Sequence, residues 1–406
     1  MTRFTTIIFT ILLFVLAGCS ENKIQKKYDY DKDGMILVDG KRTFIIGSYY
    51  LPKSETPYKD LADNGFNYVR LTANQTELEK ASQNNLLGWI SLGVINKASE
   101  KKDAERLGKI INEHKDNPAI LCWEIADEPA YTWNSAEPRI KPEPMKNTYD
   151  FIKQLDNEHL IFTNHAPVNL ISTMQKYNNS TDVVAVDVYP IVPHGIIPTY
   201  ALLKDGMQGD LLNTYMSQVG EYVDKMKKVV NNSKPIFTVL QGFAWEMLKP
   251  EAERNEAMIK YPTYEESRFM AYNAIVHGAN GILYWGWGYT PQPSEFMDNL
   301  YRVTSELSNM QNILSAKTSS MDIKKIYHEL GNSVDAGVET ILKKTDGEYY
   351  LIAVNSDKNI VKVTLEGLQN YSNVTVLTED RNLSIENGNL TDTFEPFDVH
   401  IYKLNK

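Results

Sequence analysis

Residues 117–129 read Asn117-Pro-Ala-Ile-Leu-Cys-Trp-Glu-Ile-Ala-Asp-Glu-Pro129, an apolar run that ends in two adjacent carboxylates and a proline. The run from Ala119 to Ile125 is typical of a buried strand, because strands covered on both faces are almost continuously hydrophobic. Such strands avoid uncompensated charge, since moving a carboxylate out of water costs several kcal/mol. The pair Asp127–Glu128 therefore indicates either a solvated strand end or a functional site built there.

Seven further apolar runs share this character, and most of them are followed by a segment long enough for an amphipathic helix. They begin at Phe44, Asn67, Gly88, His159, Val183, Pro235 and Gly281. Eight strand–helix units predict a parallel (β/α)8 TIM barrel. An open doubly wound sheet is the competing architecture, but no Gly-rich phosphate loop follows any of the runs.

The pattern changes after Lys317 to short, partly alternating runs separated by segments rich in Asn, Asp and Gly. This pattern predicts an all-β module, most simply a sandwich. We therefore expect the barrel over residues 35–317 and a C-terminal accessory β-sandwich over residues 318–406.

The N-terminus is typical of a secretion signal. A short start containing Arg3 precedes an apolar run over residues 6–16, and Leu16-Ala-Gly-Cys19 resembles a bacterial lipobox, in which the cysteine is lipidated. We expect residues 1–19 to be a lipoprotein signal peptide and residues 20–34 a polar tether. The protein would then be anchored through Cys19 in the bacterial cell envelope, in the outer membrane on its periplasmic or surface face. The alternative is an ordinary signal peptide with an incidental cysteine.

The composition limits the class of partner. A formal net charge of −10 argues against nucleic acid, because binding to phosphates needs a basic surface. The 24 tyrosines and 6 tryptophans supply flat amphipathic surfaces that suit sugar rings. The seven histidines show no ligand-like spacing and no cysteine pair exists, so we predict no metal site and no cofactor. The sequence implies no protein partner.

In a (β/α)8 barrel the chemistry lies at the C-terminal ends of the strands. The polar and aromatic residues at or just beyond these ends, in chain order, are Arg70, Asp127, Glu128, Asn164, His165, Asp187, Tyr189, Gln241, Glu246, Trp285 and Trp287. Carboxylates that exchange protons, polar groups that bind hydroxyls and aromatic faces that pack on sugar rings are what glycosidic cleavage requires. We therefore predict a carbohydrate substrate.

The segment Asn117–Pro129 resembles the fourth-strand segment of clan A glycoside hydrolases, in which a Trp-containing strand ends in Asn-Glu-Pro or a close relative. His277–Trp285 likewise resembles the clan's eighth strand, and weaker similarity covers Gly65–Arg70 and Lys234–Gln241, so that the resemblance extends over residues 35–314. It implies that Glu128 is the general acid/base. The chain departs from the clan twice: Asp127 replaces the usual Asn, and Gln241 stands where the clan has its nucleophilic Glu.

A glutamine cannot form a glycosyl ester, so the second catalytic group has to come from elsewhere. Glu246 or Asp187 could supply it, or Asp127 and Glu128 could act as in substrate-assisted N-acetylhexosaminidases. In the substrate-assisted case Gln241 would only bind a hydroxyl. In every case Asp127 would raise the pKa of Glu128 by like-charge repulsion.

Two functions remain as hypotheses. The first is a glycoside hydrolase that cleaves O-glycosidic bonds in a poly- or oligosaccharide with Glu128 as proton donor. The second, motivated by Gln241, is a non-catalytic glycan-binding lipoprotein on a decayed hydrolase barrel. A purely structural role would leave the carboxylates at the strand ends unexplained.

Overall fold

The computed structural model describes residues 27–132, 135–195, 213–328 and 336–406. The predicted signal peptide and its lipidation residue Cys19 lie outside the described residues. Within the described ranges, no helix is both long enough and apolar enough to cross a membrane.

A small antiparallel sheet precedes the barrel. It consists of β1 (Tyr28–Tyr30), β2 (Ile36–Val38) and β3 (Lys41–Thr43). Asp39 and Gly40 join β2 to β3 with φ angles of 49° and 76°, as a two-residue hairpin turn requires. Tyr28 is fully buried among the inward-facing residues of the barrel, and its phenol donates to the Pro118 carbonyl at 3.1 Å. The predicted tether is therefore wrong at its C-terminal end, because Tyr28–Tyr30 pairs as a strand.

Eight parallel strands close into a barrel, which confirms the predicted fold class. The strands are β4 (Ile45–Ser48), β5 (Tyr68–Leu71), β6 (Leu87–Ser91), β7 (Ile120–Glu124), β8 (Leu160–His165), β9 (Val183–Val188), β10 (Ile236–Gln241) and β11 (Gly281–Trp285). They pair in chain order, and closure occurs where Gly281 of β11 is paired with Ile45 of β4.

Helices surround the barrel. They are α1 (Pro57–Asp63), α2 (Gln75–Gln83), α3 (Glu100–His114), α4 (Pro142–Leu155), α5 (Ile171–Met174), α6 (Gln218–Val229), α7 (Tyr264–Val276), α8 (Glu295–Asn309) and α9 (Gln311–Leu314). Successive strand residues point alternately into the barrel and toward this helical layer. Trp89 and Phe162, for example, fill the interior, whereas Trp123 and Val186 pack under the helices. The interior is thus a packed apolar core rather than a channel.

The C-terminal module contains two antiparallel sheets that pack over a shared apolar core. Its strands are β12 (Lys317–Ser319), β13 (Lys324–Tyr327), β14 (Val338–Thr345), β15 (Glu348–Asn355), β16 (Val361–Glu366), β17 (Asn373–Val376), β18 (Arg381–Ser384), β19 (Asn389–Phe394) and β20 (Val399–Asn405). Six strands in the order β12-β14-β15-β20-β17-β18 form one sheet, and β13-β16-β19 form the other. The predicted all-β module is confirmed.

Helix α7 joins the barrel to this module, because β14, β15 and β20 pack on the face of α7 that the barrel leaves uncovered. At the C-terminal end of α7, His277 lies between two carboxylates. Its Nδ1 is 2.7 Å from Asp224 Oδ2 on α6, and its Nε2 is 2.9 Å from Glu339 Oε2 on β14. Burial alone would lower the pKa of His277, but the hydrogen bonds to both carboxylates outweigh it and raise the pKa to about 9.

We expect this ion triad to stabilise the fold in a pH-dependent manner. The folded pKa of His277 lies above its unfolded value, so the contribution is complete below about pH 6.5 and is lost as the pH rises through about 9. His277→Gln should lower the free energy of unfolding by roughly 2 kcal/mol at pH 6 and by clearly less at pH 10. Urea denaturation at both pH values measures this, with the exposed His194→Gln as the control. An equal loss at both pH values would contradict the assignment.

Candidate active site

One residue from each barrel strand continues the inward alternation to the C-terminal end of the barrel. Each lies two positions beyond an inward-facing residue of the interior, and we call the eight together the mouth ring. They are Tyr49, Arg70, Ser91, Glu124, Asn164, Asp187, Gln241 and Trp285. Tyr49 directly follows β4, and the others are the last or next-to-last residues of their strands. The residues beneath them are almost all apolar, so polar side chains begin abruptly at the mouth ring.

Asn164 connects the strand ends that carry the acids. Its Nδ2 donates to Asp127 Oδ1 at 3.0 Å and to Asp187 Oδ1 at 3.2 Å. Its backbone carbonyl accepts the N–H of Glu128 at 2.9 Å, which holds Glu128 in a left-handed conformation with φ of 45°. A single buried asparagine therefore brings together Asp127, Glu128 and Asp187, all three of which were predicted as catalytic candidates.

Glu128 and Asp187 influence each other's protonation. Burial and then the charge of Asp127 raise the pKa of Glu128 to about 7, although Arg139 Nη1, at 2.8 Å from Glu128 Oε2, acts in the opposite direction. Burial, followed by the charges of Glu128 and Asp127, raises the pKa of Asp187 well above its ordinary value. Ionisation of both carboxyl groups at once is disfavoured, because each charge opposes the other in a poorly solvated site.

Glu124 is the second acid of the mouth ring, together with Asp187, and the sequence analysis missed it. The Ser91 hydroxyl donates to its Oε2, while its Oε1 is buried without a hydrogen-bond partner among the described residues. Burial raises the pKa of Glu124 to about 7. The signal was present in the sequence, because Glu124 is two residues beyond the inward-facing Cys122.

Tyr49 was also missed. Its hydroxyl is buried and has no hydrogen-bond partner within the described part of the chain. Burial, and then the nearby charges of Asp127, Glu124 and Asp187, raise the pKa of Tyr49 well above its usual value. The phenol therefore stays protonated and offers an unused donor among the acids.

Gln241 is held by backbone rather than by other side chains. Its Oε1 accepts the Ile191 N–H at 2.8 Å, and its Nε2 donates to the carbonyls of Ile191 at 2.7 Å and Phe243 at 3.0 Å. Both amide hydrogens are thereby used, and the side chain is fully buried. The predicted role in hydroxyl binding does not fit this geometry. Gln241 instead fixes the chain that follows β9.

Three other predicted site residues lie away from the acids. His165 faces the helical layer next to Tyr177 and is fully buried, and burial lowers its pKa to about 4. Trp287 is fully buried and donates through Nε1 to Ser48 Oγ at 3.0 Å. The complete burial of both side chains contradicts the prediction that they contact substrate. The strand alternation turns His165 outward, and the chain leaves β11 at Gly286, which has φ of 93°.

Glu246 is the third of these residues. It lies in a 3₁₀ turn after β10 and accepts the Asn255 N–H at 2.7 Å and the Lys249 ammonium at 3.0 Å. These hydrogen bonds lower its pKa. An acid that its own loop holds in the ionised state is poorly suited to exchange protons at the barrel mouth.

The remaining predicted residues do lie at the mouth. Trp285 is partly exposed and stacks on Tyr189, with ring centroids 5.6 Å apart and an interplanar angle of 24°. Arg70 is exposed on β5 and lies near enough to lower the pKa of both Tyr49 and Glu124. No cluster of three or more His, Cys, Asp or Glu in the described residues could hold a metal ion. The mouth thus combines carboxyl groups with raised pKa values, hydroxyl and amide groups and an aromatic wall, the kinds of group that glycosidic cleavage uses.

Solved structures with a similar architecture include an α-amylase and a xylanase. An α-amylase from Geobacillus thermoleovorans superposes with a TM-score of 0.56 at 8% identity, and the match covers 93% of this chain and 99% of that chain. A family 30 subfamily 8 xylanase from Clostridium acetobutylicum gives a TM-score of 0.51 at 10% identity over 90% and 97% of the two chains. Identities this low establish the shared fold of barrel and C-terminal module and nothing finer. Comparison with curated protein sequences finds no match.

The family-level comparison is more specific. Residues 102–311, slightly more than half of the 406-residue chain, match the model for glycoside hydrolase family 5 β-mannosidase-like proteins. The matched region includes the acids at the ends of β7 and β9. The chain therefore belongs to the β-mannosidase-like group of glycoside hydrolase family 5, within the clan A TIM-barrel glycosidases, and is a glycoside hydrolase.

Proposed function

We propose that the enzyme hydrolyses β-mannosidic bonds in an oligo- or polysaccharide, with Glu128 as general acid and Asp187 as the second carboxylate. The observation that carries the proposal is the Asn164 amide, whose Nδ2 is 3.0 Å from Asp127 and 3.2 Å from Asp187. It places the acid of β9 beside the acid pair that follows β7. The family description supports the choice of a β-mannoside as the sugar.

The two carboxyl groups divide the work. Glu128 gives its proton to the oxygen of the leaving sugar, while the Asp187 carboxylate stabilises the positive charge that develops at the anomeric carbon. Water then completes the hydrolysis, and Glu128 recovers its proton. The pKa of Glu128, raised to about 7, allows this carboxyl group to take up a proton near neutral pH, as general acid catalysis requires. Trp285 and Tyr189 offer an aromatic wall for the sugar ring.

We also propose that the enzyme works at the bacterial cell envelope, anchored through a lipid on Cys19. The support is the lipobox-like Leu16-Ala-Gly-Cys19 at the end of a short apolar run. A lipid tether would keep the barrel mouth close to glycans that reach the envelope.

Removal of either acid should abolish most of the activity without unfolding the protein. We expect Glu128→Gln and Asp187→Asn each to lower kcat/KM on β-1,4-mannotetraose by roughly a hundredfold to ten-thousandfold, the usual effect of losing acid–base catalysis. Reducing-sugar release and thermal melts, recorded together, measure this. Glu246→Gln should stay close to wild-type activity, because its carboxylate is held by Lys249 and Asn255.

The same set of variants separates the alternatives. If Asp187→Asn retained activity and Glu246→Gln lost it, the second carboxylate would be Glu246. If Asp127→Asn were inactive while Asp187→Asn remained active only on 2-acetamido sugars, hydrolysis would be substrate-assisted. If the wild-type enzyme left every β-mannoside intact, the proposed substrate would be wrong.

Restoring the clan's glutamate should harm the enzyme. Gln241→Glu removes both amide donors and sets a carboxylate against the carbonyls of Ile191 and Phe243. We expect a loss of roughly 3 kcal/mol in the free energy of unfolding, since a buried charge is left unpaired, and no gain in hydrolysis. Chemical denaturation measures it. Gln175→Glu, at an exposed amide that bonds the Lys228 carbonyl, is the matched control and should cost little. A stable, more active Gln241→Glu would show that the strand still accepts a nucleophile.

Tyr49→Phe should separate function from stability. Because the Tyr49 hydroxyl has no hydrogen-bond partner in the described part of the protein, its removal should leave the melting temperature nearly unchanged. We expect kcat/KM on mannotetraose to fall about tenfold to a hundredfold through the loss of a donor to the substrate. Steady-state kinetics and a thermal melt of the variant test this. An unchanged kcat/KM would show that Tyr49 does not contact the substrate.

A further inference from the structure

The loop after β7 folds back so that Arg139 lies on the carboxyl group of Glu128. Backbone hydrogen bonds from Tyr131 to Glu128, from Arg139 to Tyr131 and from Ile140 to Pro129, at 3.0–3.1 Å, fix this return. Arg139 Nη1 is 2.8 Å from Glu128 Oε2, and the guanidinium lies 5.1 Å from the centre of the Tyr131 ring.

This ion pair opposes the role of a general acid. A guanidinium bonded to a carboxylate favours its ionised form, whereas an acid must hold a proton when substrate is present. The charged and titratable groups that face Glu128 are Asp127 on its own loop, Asp187 on β9, and Arg139 and Tyr131 on the returning loop. Only Arg139 among them favours ionisation of Glu128. Arg139 therefore favours the arrangement in which Glu128 is ionised and Asp187 holds the proton.

Substrate must change this arrangement. To protonate the leaving oxygen, Glu128 has to hydrogen-bond to it, which brings the leaving sugar to the carboxyl edge that Arg139 occupies. The Arg139 side chain is 44% exposed and that of Glu128 is 16% exposed, so the guanidinium can turn to solvent at small cost. The displaced guanidinium can also stay in contact with the Tyr131 ring, beside which it already lies.

We propose that Arg139 keeps the shared proton on Asp187 in the free enzyme, and that the leaving-group sugar displaces Arg139 so that the proton moves to Glu128. One proton leaves an Asp187 oxygen and one binds a Glu128 oxygen, so the total is unchanged. The enzyme then has a protonated acid and an ionised Asp187 only when substrate is bound. Arg139 is in this sense a positioning residue for the proton. The inference rests on the proposed function, because it assigns the roles of acid and second carboxylate.

The pH dependence of two kinetic constants tests the inference. The profile of kcat/KM reports pKa values of the free enzyme, and that of kcat reports those of the enzyme–substrate complex. Loss of a cation raises the pKa of a nearby carboxyl group, so Arg139→Gln should move the kcat/KM profile on mannotetraose to higher pH by about half a unit. The kcat profile should stay in place, because Arg139 no longer contacts Glu128 once substrate is bound.

Two variants serve as controls. Arg139→Lys keeps the charge and should keep both profiles. Lys141→Gln removes a cation from the same loop, but one that pairs with Glu137 at 2.9 Å, and it should also move neither profile. If Arg139→Gln leaves the kcat/KM profile in place, or shifts both profiles equally, the inference is overturned.

A measurement without turnover separates this inference from the proposed function. If the wild-type enzyme hydrolyses no mannoside, the proposed function fails, and the proton position can still be read by ¹³C NMR titration of protein labelled at the glutamate carboxyl carbons. Glu128→Gln identifies the signal. The midpoint of Glu128 should rise by about half a pH unit in Arg139→Gln, the size of effect that a partly exposed ion pair supports. An unchanged midpoint would refute the role of Arg139.

Discussion

The apolar filling of the barrel interior is the constraint on which the site depends. Inward-facing side chains such as Trp89, Phe162 and Phe237 pack the space between the strands, so charged groups are excluded until the last inward position of each strand. Glu124 and Asp187 lie directly above this apolar layer. Burial is accordingly the largest cause of the raised pKa of both acids and of Glu128. The packing that holds the barrel together thus also makes proton-holding carboxyl groups available near neutral pH.

The residues at the ends of β9 and β10 differ in role from those that the clan pattern predicts. The end of β10 carries Gln241, whose amide binds the backbone of Ile191 and so supports the chain beyond β9. The end of β9 carries Asp187, which Asn164 holds beside the acid pair. A glutamate in place of Gln241 could not donate to the Ile191 carbonyl. The glutamine is therefore an anchor with its own physical reason to be there, and it need not be the remnant of a lost nucleophile.

The barrel and much of the candidate site could be predicted from two patterns in the sequence. Alternating strand and helix runs predicted the barrel, and the strand-end rule found Arg70, Asn164, Asp187, Gln241 and Trp285 of the mouth ring. The rule did not consider which face of the strand each residue occupies, so it included the outward-facing His165 and missed Tyr49, Ser91 and Glu124 of the mouth ring. Contacts that depend on the shape of a loop, such as that of Arg139 with Glu128, leave no recognisable pattern in the sequence. Strand β1 also has no such pattern, because its position depends on the burial of Tyr28 against the barrel.

Helix α7 shows how the two parts of the chain depend on each other. Residues 269–275 of this helix are all buried, because the barrel strands cover one side and the C-terminal module covers the other. Phe269 packs on Phe397 with ring centroids 5.1 Å apart, and Arg268 reaches the Val399 carbonyl at 2.9 Å. A barrel cut off before the module would expose a helix with hardly any polar face. Removal or exchange of the module would therefore require changes in the buried residues of α7 as well.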